Sequence, residues 1–425
     1  MPRFVPSSRP PIVRSIALAA FAAAASVYPT AAAPSVAPSA ASAAGAALVA
    51  RAGTIADGLD DEELVGQVMM IGVEGVGRPS NASRLILERI RPGAVILFGF
   101  NVDEDPRSVA SLAGAARDAC AVETADGLLL PPFVAIDHEG GGVYRFKGGL
   151  TRLPAAATMG RAGAAAASVA GTVAGTELRA LGVTMNAAPV VEALNEANRG
   201  FLAGRAWSDD PGEAAKLSAA FIVACQDGGA AAVAKHFPGN AEVDPHRGQP
   251  VLTASRAVVE GAYLAPFRAA VSAGVSAIML SHAIVPAIDP GRPVSVSPRA
   301  VAILKDELGF AGIVLTDDLQ MAALDGYGDP GLSAVAALAA GADMVMLTGG
   351  RTALGARDAI LAALADGRLT RARLRDAAVR VMAQKLRFGL DAETDRERAA
   401  RLGSLERTVR ANTAALKAAM SGSAR

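Results

Sequence analysis

The sequence predicts an α/β fold, a single (β/α)8 TIM barrel with a short C-terminal helical tail, and three observations lead to it. Eight short, nearly uninterrupted apolar runs follow one another from Leu64 onward. Helical patterns lie between them, and reactive side chains stand at the ends of several different runs. Continuous apolar strands alternating with helices imply a parallel sheet covered on both faces, and eight such units close into a barrel.

In chain order the runs are VGQVMMIG near Val65, AVILFGF from Ala94, FVAID from Phe133, VTMNAAP from Val183, AVAKHF from Ala232, AIMLSH from Ala277, GIVLTDD from Gly312 and MVMLTGG from Met344. Helical stretches are expected over 83–89, 108–121, 166–181, 213–226, 256–272, 298–308 and 334–340. A doubly wound open sheet would satisfy the same periodicity. It is disfavoured because Asp137 and His138 end the third run, Lys235 and His236 the fifth, His282 the sixth, and Asp317 with Asp318 the seventh. A barrel gathers such groups at one mouth, whereas an open sheet concentrates ligand contacts at one switch point. GVEGVG after the first run has the wrong spacing for a dinucleotide fingerprint and reads as a sharp loop at the barrel top.

Of the 425 residues 52% are hydrophobic and 19% charged, and 41 basic residues balance 41 acidic ones. This balance gives no reason to expect nucleic acid or an anionic membrane surface as a partner, and it suits a neutral substrate. Cys120 and Cys225 lack CxxC or Cys/His metal spacing, which speaks against a structural zinc or a redox pair. Whether they bond to each other is left open, as is the oligomeric state.

Arg3, Arg9 and Arg14 precede an apolar run over 16–27 and a small-residue tract, the layout of a secretory signal. That run is too short to span a bilayer. The expected organisation is a signal peptide over 1–33, an Ala/Pro/Ser-rich linker over 34–52, the barrel domain over 53–392, and a helical or frayed tail over 393–425. An exported protein with no stable membrane insertion after cleavage is therefore expected, resident in the periplasm, in the cell wall or outside the cell.

The richest stretch is AVAKHFPGNAEVDPHRG, residues 232–248, which holds two of the chain's four histidines beside Lys235 and Asp244. Asp317 and Asp318 close an apolar strand, so one should face the barrel mouth while the other turns away and caps a helix start before Leu319. Periodicity alone leaves open which is which. The inward one is a candidate nucleophile toward an anomeric carbon. A proton donor is then needed, and His246 with Asp244 two residues before it suits the task, because imidazole titrates near neutrality and a carboxylate fixes its tautomer. Glu139, Asp103 and Glu104 have ordinary local explanations near loop and helix starts.

KHFPG followed by a DxH loop, DHEGG after a strand and TDDLQM at a later strand end resemble the single-domain NagZ-type β-N-acetylglucosaminidases of glycoside hydrolase family 3. The resemblance runs over about 57–390 and includes GRAWSDDP, SVSPRAVAILKDELGF and QKLRFGL. It implies that Asp317 is the nucleophile, that His246 is acid and then base, and that Asp244 is its partner. It further implies that Asp137, Arg145, Arg205, Lys235 and His236 hold the sugar's hydroxyls and N-acetyl group. His282 and Met321 lie near the same mouth, in contact with substrate or merely packed. The implied activity is retaining, exo-acting removal of terminal β-linked N-acetylhexosamine from peptidoglycan fragments or chitin-type oligosaccharides, with a carbohydrate as partner and without metal or organic cofactor. Phosphorolysis of the same bond, a β-glucosidase of the same family, and a non-catalytic wall-binding barrel are the alternatives. Gly142, Tyr144 and Asn240 depart from the arginine, glutamine and histidine common in the family, and the His246 loop is shorter than in many members.

Overall fold

A computed structural model describes residues 40–125 and 127–421. The expected signal peptide, the first part of the expected linker and the last four residues of the tail lie outside that range. All eight apolar runs are strands: β1 Met69–Gly72, β2 Ala94–Leu97, β3 Phe133–Ile136, β4 Met185–Asn186, β5 Ala231–Phe237, β6 Ala277–Leu280, β7 Ile313–Asp318 and β8 Met344–Leu347. Each pairs in parallel with its sequence neighbours, and β1 pairs with both β2 and β8, which closes the barrel.

Strand alternation fills the interior. Met70, Ala94, Ile96, Phe133, Ala135, Met185, Ala231, Val233, Ala277, Met279, Ile313, Leu315, Met344 and Met346 form one buried cluster, to which Val381 and Leu390 also belong. Small alanines opposite methionine and phenylalanine let the layers interdigitate. Each fully buried Met or Phe there contributes about 1.5–3 kcal/mol from lost water contact. The other strand face packs outward in two further clusters; Val134, Ile136, Val345 and Leu347 lie in one, Ala232, Ala234, Ile278 and Val314 in the other.

The helices start where the sequence supplies caps. Asp210 accepts from Glu213 N at 2.7 Å ahead of α4, Pro211–Asp227, with proline in its first turn. This explains the SDDP segment, since proline, which lacks an N–H donor, is tolerated in the first turn, where an N–H would find no intrahelical acceptor. The expected helices over 256–272 and 298–308 each contain a π-helical turn, Val259–Tyr263 and Ile303–Glu307. The other helices following β1, β2 and β3 are α1 Asn81–Ile90, α2 Arg107–Cys120 and α3 Ala164–Ala180.

Two termini differ from expectation or refine it. The linker expected over 34–52 is helical from Ala40, as part of Ala40–Asp57, with Ala52, Ile55 and Ala56 buried. Alanine is the best helix former, and this helix has an apolar surface to pack against. The tail forms a helix, Asp395–Ser421, on the outside of α3, burying Leu405 and Leu416. Just before it, buried Glu393 pairs with Arg117 at 3.1 Å and Arg179 at 2.9 Å. Cys120 and Cys225 are both buried free thiols, each pushed up in pKa by burial.

Candidate active site

Three strands place a charge one pleat above their inward apolar residues. Asp137 follows Phe133 and Ala135, Lys235 follows Ala231 and Val233, and Asp317 follows Ile313 and Leu315. Period-two geometry therefore aims all three into the mouth. The choice left open between the two aspartates falls on Asp317. Asp318 turns toward β8, accepting from Thr348 Oγ1 at 2.6 Å and Thr348 N at 3.3 Å. It also accepts from Gln320 N at 3.2 Å, a turn rather than the expected helix cap, since the next helical segment is a 3-10 turn over Ala322–Tyr327.

A cavity of about 280 Å³ opens at this mouth, lined among others by Asp137, Arg145, Phe201, Arg205, Lys235, His236, His246, Asp317 and Met321. Met279 and Met346 also line it, from the barrel interior. Seven of the eight expected site residues line the cavity, and Asp244 stands against His246. His282 is one residue out of phase with Ala277 and Met279 and lies behind the wall. Its Nε2–H donates to Asp318 O at 2.9 Å, and Nδ1 accepts from Ser295 Oγ at 2.9 Å, so it braces the end of β7.

Lys235 Nζ donates to Asp137 Oδ1 at 2.6 Å and lies 2.8 Å from Glu139 Oε1. Arg205 grips Glu139 through two bonds of 2.9 Å, and Arg145 reaches Asp137 at 3.3 Å. Burial works to raise the two carboxyls, but Lys235 and the arginines prevail: Asp137 is held below the usual carboxylate range and Glu139 comes down to about 2. Burial likewise opposes the Lys235 ammonium, and the two carboxylates outweigh it and raise its pKa. A bidentate, desolvated arginine–carboxylate pair is a strong and directional contact. Glu139, read from sequence as an ordinary loop residue, is thus the centre of the cluster. The DHEGG turn that carries it needs its glycines, because a Cβ on Gly140, at φ +94°, would sit 2.4 Å from Pro154 O.

The register of β5 against β6 shifts between Ala234 and Phe237, so the consecutive residues Lys235 and His236 both reach the cavity. His236 Nδ1–H donates to Glu192 Oε1 at 2.8 Å. Glu192 also accepts from Asn240 N at 2.6 Å and Asn240 Nδ2 at 3.0 Å. Asn240 thus ties the start of the His246 loop to the partner of His236.

His246 Nδ1–H donates to Asp244 Oδ1 at 2.8 Å, and its backbone N–H to the same oxygen at 3.0 Å. That fixes the tautomer and leaves Nε2 for the cavity. Partial burial opposes ionisation of Asp244, and the bonds from His246 outweigh it and lower the carboxyl. The loop tip docks beyond β7, where Ala323 N donates to Pro245 O at 3.0 Å. Among the described residues no group of three His, Cys, Asp or Glu side chains is placed to hold a metal ion.

Carboxyl and imidazole groups thus meet over a cavity of about 280 Å³ at the mouth of a barrel, an arrangement suited to nucleophilic and acid–base chemistry on a small substrate. The chain belongs to glycosyl hydrolase family 3: the model of its N-terminal domain matches residues 61–384. A Beta-hexosaminidase of Alkalilimnicola ehrlichii is 37% identical over 295 residues, covering 67% of this chain and 81% of that one. One from Thioalkalivibrio sulfidiphilus is 37% identical over 288 residues, covering 66% and 80%. The solved family 3 beta-N-acetylglucosaminidase of Paenibacillus sp. str. FPU-7 is 32% identical with a TM-score of 0.74, covering 83% of this chain and 69% of that one.

Proposed function

We propose that this chain is a retaining, exo-acting β-N-acetylhexosaminidase that removes terminal β-linked N-acetylglucosamine from peptidoglycan fragments or chitin-type oligosaccharides. The observation that carries the reading is Asp317 at the end of β7 sharing one cavity with His246, whose ring is held by Asp244. Asp317 attacks the anomeric carbon while the His246 imidazolium gives its Nε2 proton to the leaving oxygen, forming a glycosyl-aspartate. Neutral His246 then takes a proton from water, which opens that ester from the face the leaving group vacated, so configuration is retained. Asp137, Lys235, Arg205 and Arg145 hold hydroxyls and the N-acetyl group, the ionised carboxylate acting as acceptor and the cations as donors.

The test is hydrolysis of nitrophenyl β-N-acetylglucosaminide against the matching β-glucoside, with and without phosphate. Strong preference for the N-acetyl sugar, indifferent to phosphate, is expected. Phosphate-stimulated release of a sugar 1-phosphate would make it a phosphorylase, and turnover of neither sugar would make it a scaffold. Export is part of the proposal, resting on Arg3, Arg9 and Arg14 ahead of the apolar run over 16–27. Sequencing the mature N-terminus from the periplasm or medium checks it, with a start between residues 31 and 46 expected; an intact Met1 in the cytoplasm would contradict it.

A further inference from the structure

We infer that Phe100 is an aromatic platform for the leaving-group sugar, stacking on the apolar face of the pyranose ring that carries the departing oxygen. This rests on the glycosidase reading above and extends it to the part of the substrate outside the cavity. Phe100 is 62% exposed, the highest value among the large apolar side chains of the described residues. Exposure of one apolar side chain says little by itself. What singles out Phe100 is that its open ring stacks on a residue of the cavity lining and so extends that lining outward as an aromatic surface.

Its position is fixed and continuous with the site. The Phe100 ring lies 5.7 Å from that of Phe98 with 25° between their planes, and Phe98 lines the cavity. Both belong to the turn that follows β2, and a fully buried amide holds that turn in place. Asn101 Nδ2 donates to Val73 O at 2.9 Å and Gly75 O at 2.8 Å, while its Oδ1 accepts from Phe98 N at 2.8 Å. The same turn abuts Arg145, since a Cβ on Gly99 would lie 4.0 Å from Arg145 Cδ.

The occupant is identified by the shape of the site. The cavity ends inside the barrel on Met279 and Met346, so only the terminal ring enters and the remainder of a glycan leaves across the rim. A pyranose ring offers one face of C–H groups with slight positive charge, which suits the negative face of an aromatic ring. No charged group is needed for this contact, because the C–H face of the ring makes it whatever substituents the ring carries elsewhere.

The experiment compares diacetylchitobiose, whose leaving group is a sugar ring, with methyl β-N-acetylglucosaminide, whose leaving group has none. In Phe100→Ala the ratio of kcat/KM for the disaccharide to that for the methyl glycoside should fall about tenfold, the scale of one lost stacking contact. Phe100→Trp should keep the wild-type ratio or raise it. An unchanged ratio in Phe100→Ala would overturn the inference while leaving the glycosidase intact. Failure of the wild type on both glycosides would overturn both readings together.

Discussion

The two sides of the mouth solve opposite problems. On one side Asp137, Glu139, Lys235 and Arg205 are largely buried, and every charge meets its opposite within 2.9 Å. On the other, the His246 side chain is 62% exposed on a loop and has one carboxylate against its ring. Burial of paired charges gives fixed directions, which recognition of a sugar's hydroxyls requires, and it does so at the cost of leaving no proton free to move. A group that must give a proton to one oxygen and take it from water needs the reverse, namely contact with solvent and a tautomer that survives the exchange. Asp317, 8% exposed at the end of β7, stands where the two sides meet.

The contrast is broken most severely at that meeting point. Asp317→Asn should lower kcat/KM by about a thousandfold or more with folding unchanged, because it removes a nucleophile and no buried partner of the charge cluster. Near-normal turnover with a circular dichroism spectrum like the wild type would move the nucleophile elsewhere. On the buried side the expected damage is to the fold as well. Lys235→Met leaves Asp137 and Glu139 facing each other without their shared cation, and about 3–5 kcal/mol of unfolding free energy should be lost in urea titrations. A loss as small as that of an exposed ion pair, about 1 kcal/mol or less, would mean that the cluster is not organised by Lys235.

A gentler probe of the buried side is His138, enclosed by Tyr144 at 4.8 Å and Phe146 at 5.5 Å, with neither ring nitrogen hydrogen-bonded. Burial, helped by nearby Arg152, brings its pKa down to about 3. An unfolded histidine takes up a proton near pH ~6.5, so the folded state is penalised as pH falls from there toward about 3. The contribution is fully present above that unfolded value and shrinks by at most about 1.4 kcal/mol per pH unit on acidification. His138→Phe should flatten this part of the stability profile, and an unaltered acid slope would show that the ring is not held neutral.

Much of this is legible in the sequence because strands buried on both faces read as uninterrupted apolar runs, and all eight runs are strands. Lys235, His236 and Asp317 are legible for the same reason, as charges terminating such runs. Phase is the part that stays hidden. The family resemblance singles out Asp317, but choosing between Asp317 and Asp318 from the residues alone needs the knowledge that Ile313 and Leu315 face inward, and the same phase puts His282 behind the wall. Glu192 escapes sequence reading because its partner His236 is 44 residues away. Glu139 is visible in the sequence, yet its loop position suggests no role there. A signal does exist: a lysine at the end of a wholly apolar strand must find carboxylates, and Glu139 lies just past the end of the third run. The helix beginning at Ala40 is hidden by composition, since an alanine-rich tract reads equally as linker or as helix until a surface exists to receive it.

The division of labour is tested most directly by His246→Ala, measured as kcat/KM on two substrates so that only steps up to bond cleavage are compared. Diacetylchitobiose needs a protonated leaving oxygen, and its rate should drop by about a hundredfold or more. Nitrophenyl β-N-acetylglucosaminide needs little protonation and should lose less than about tenfold. Equal losses on both would contradict the account, because His246 would then be part of the binding side of the mouth rather than its proton donor.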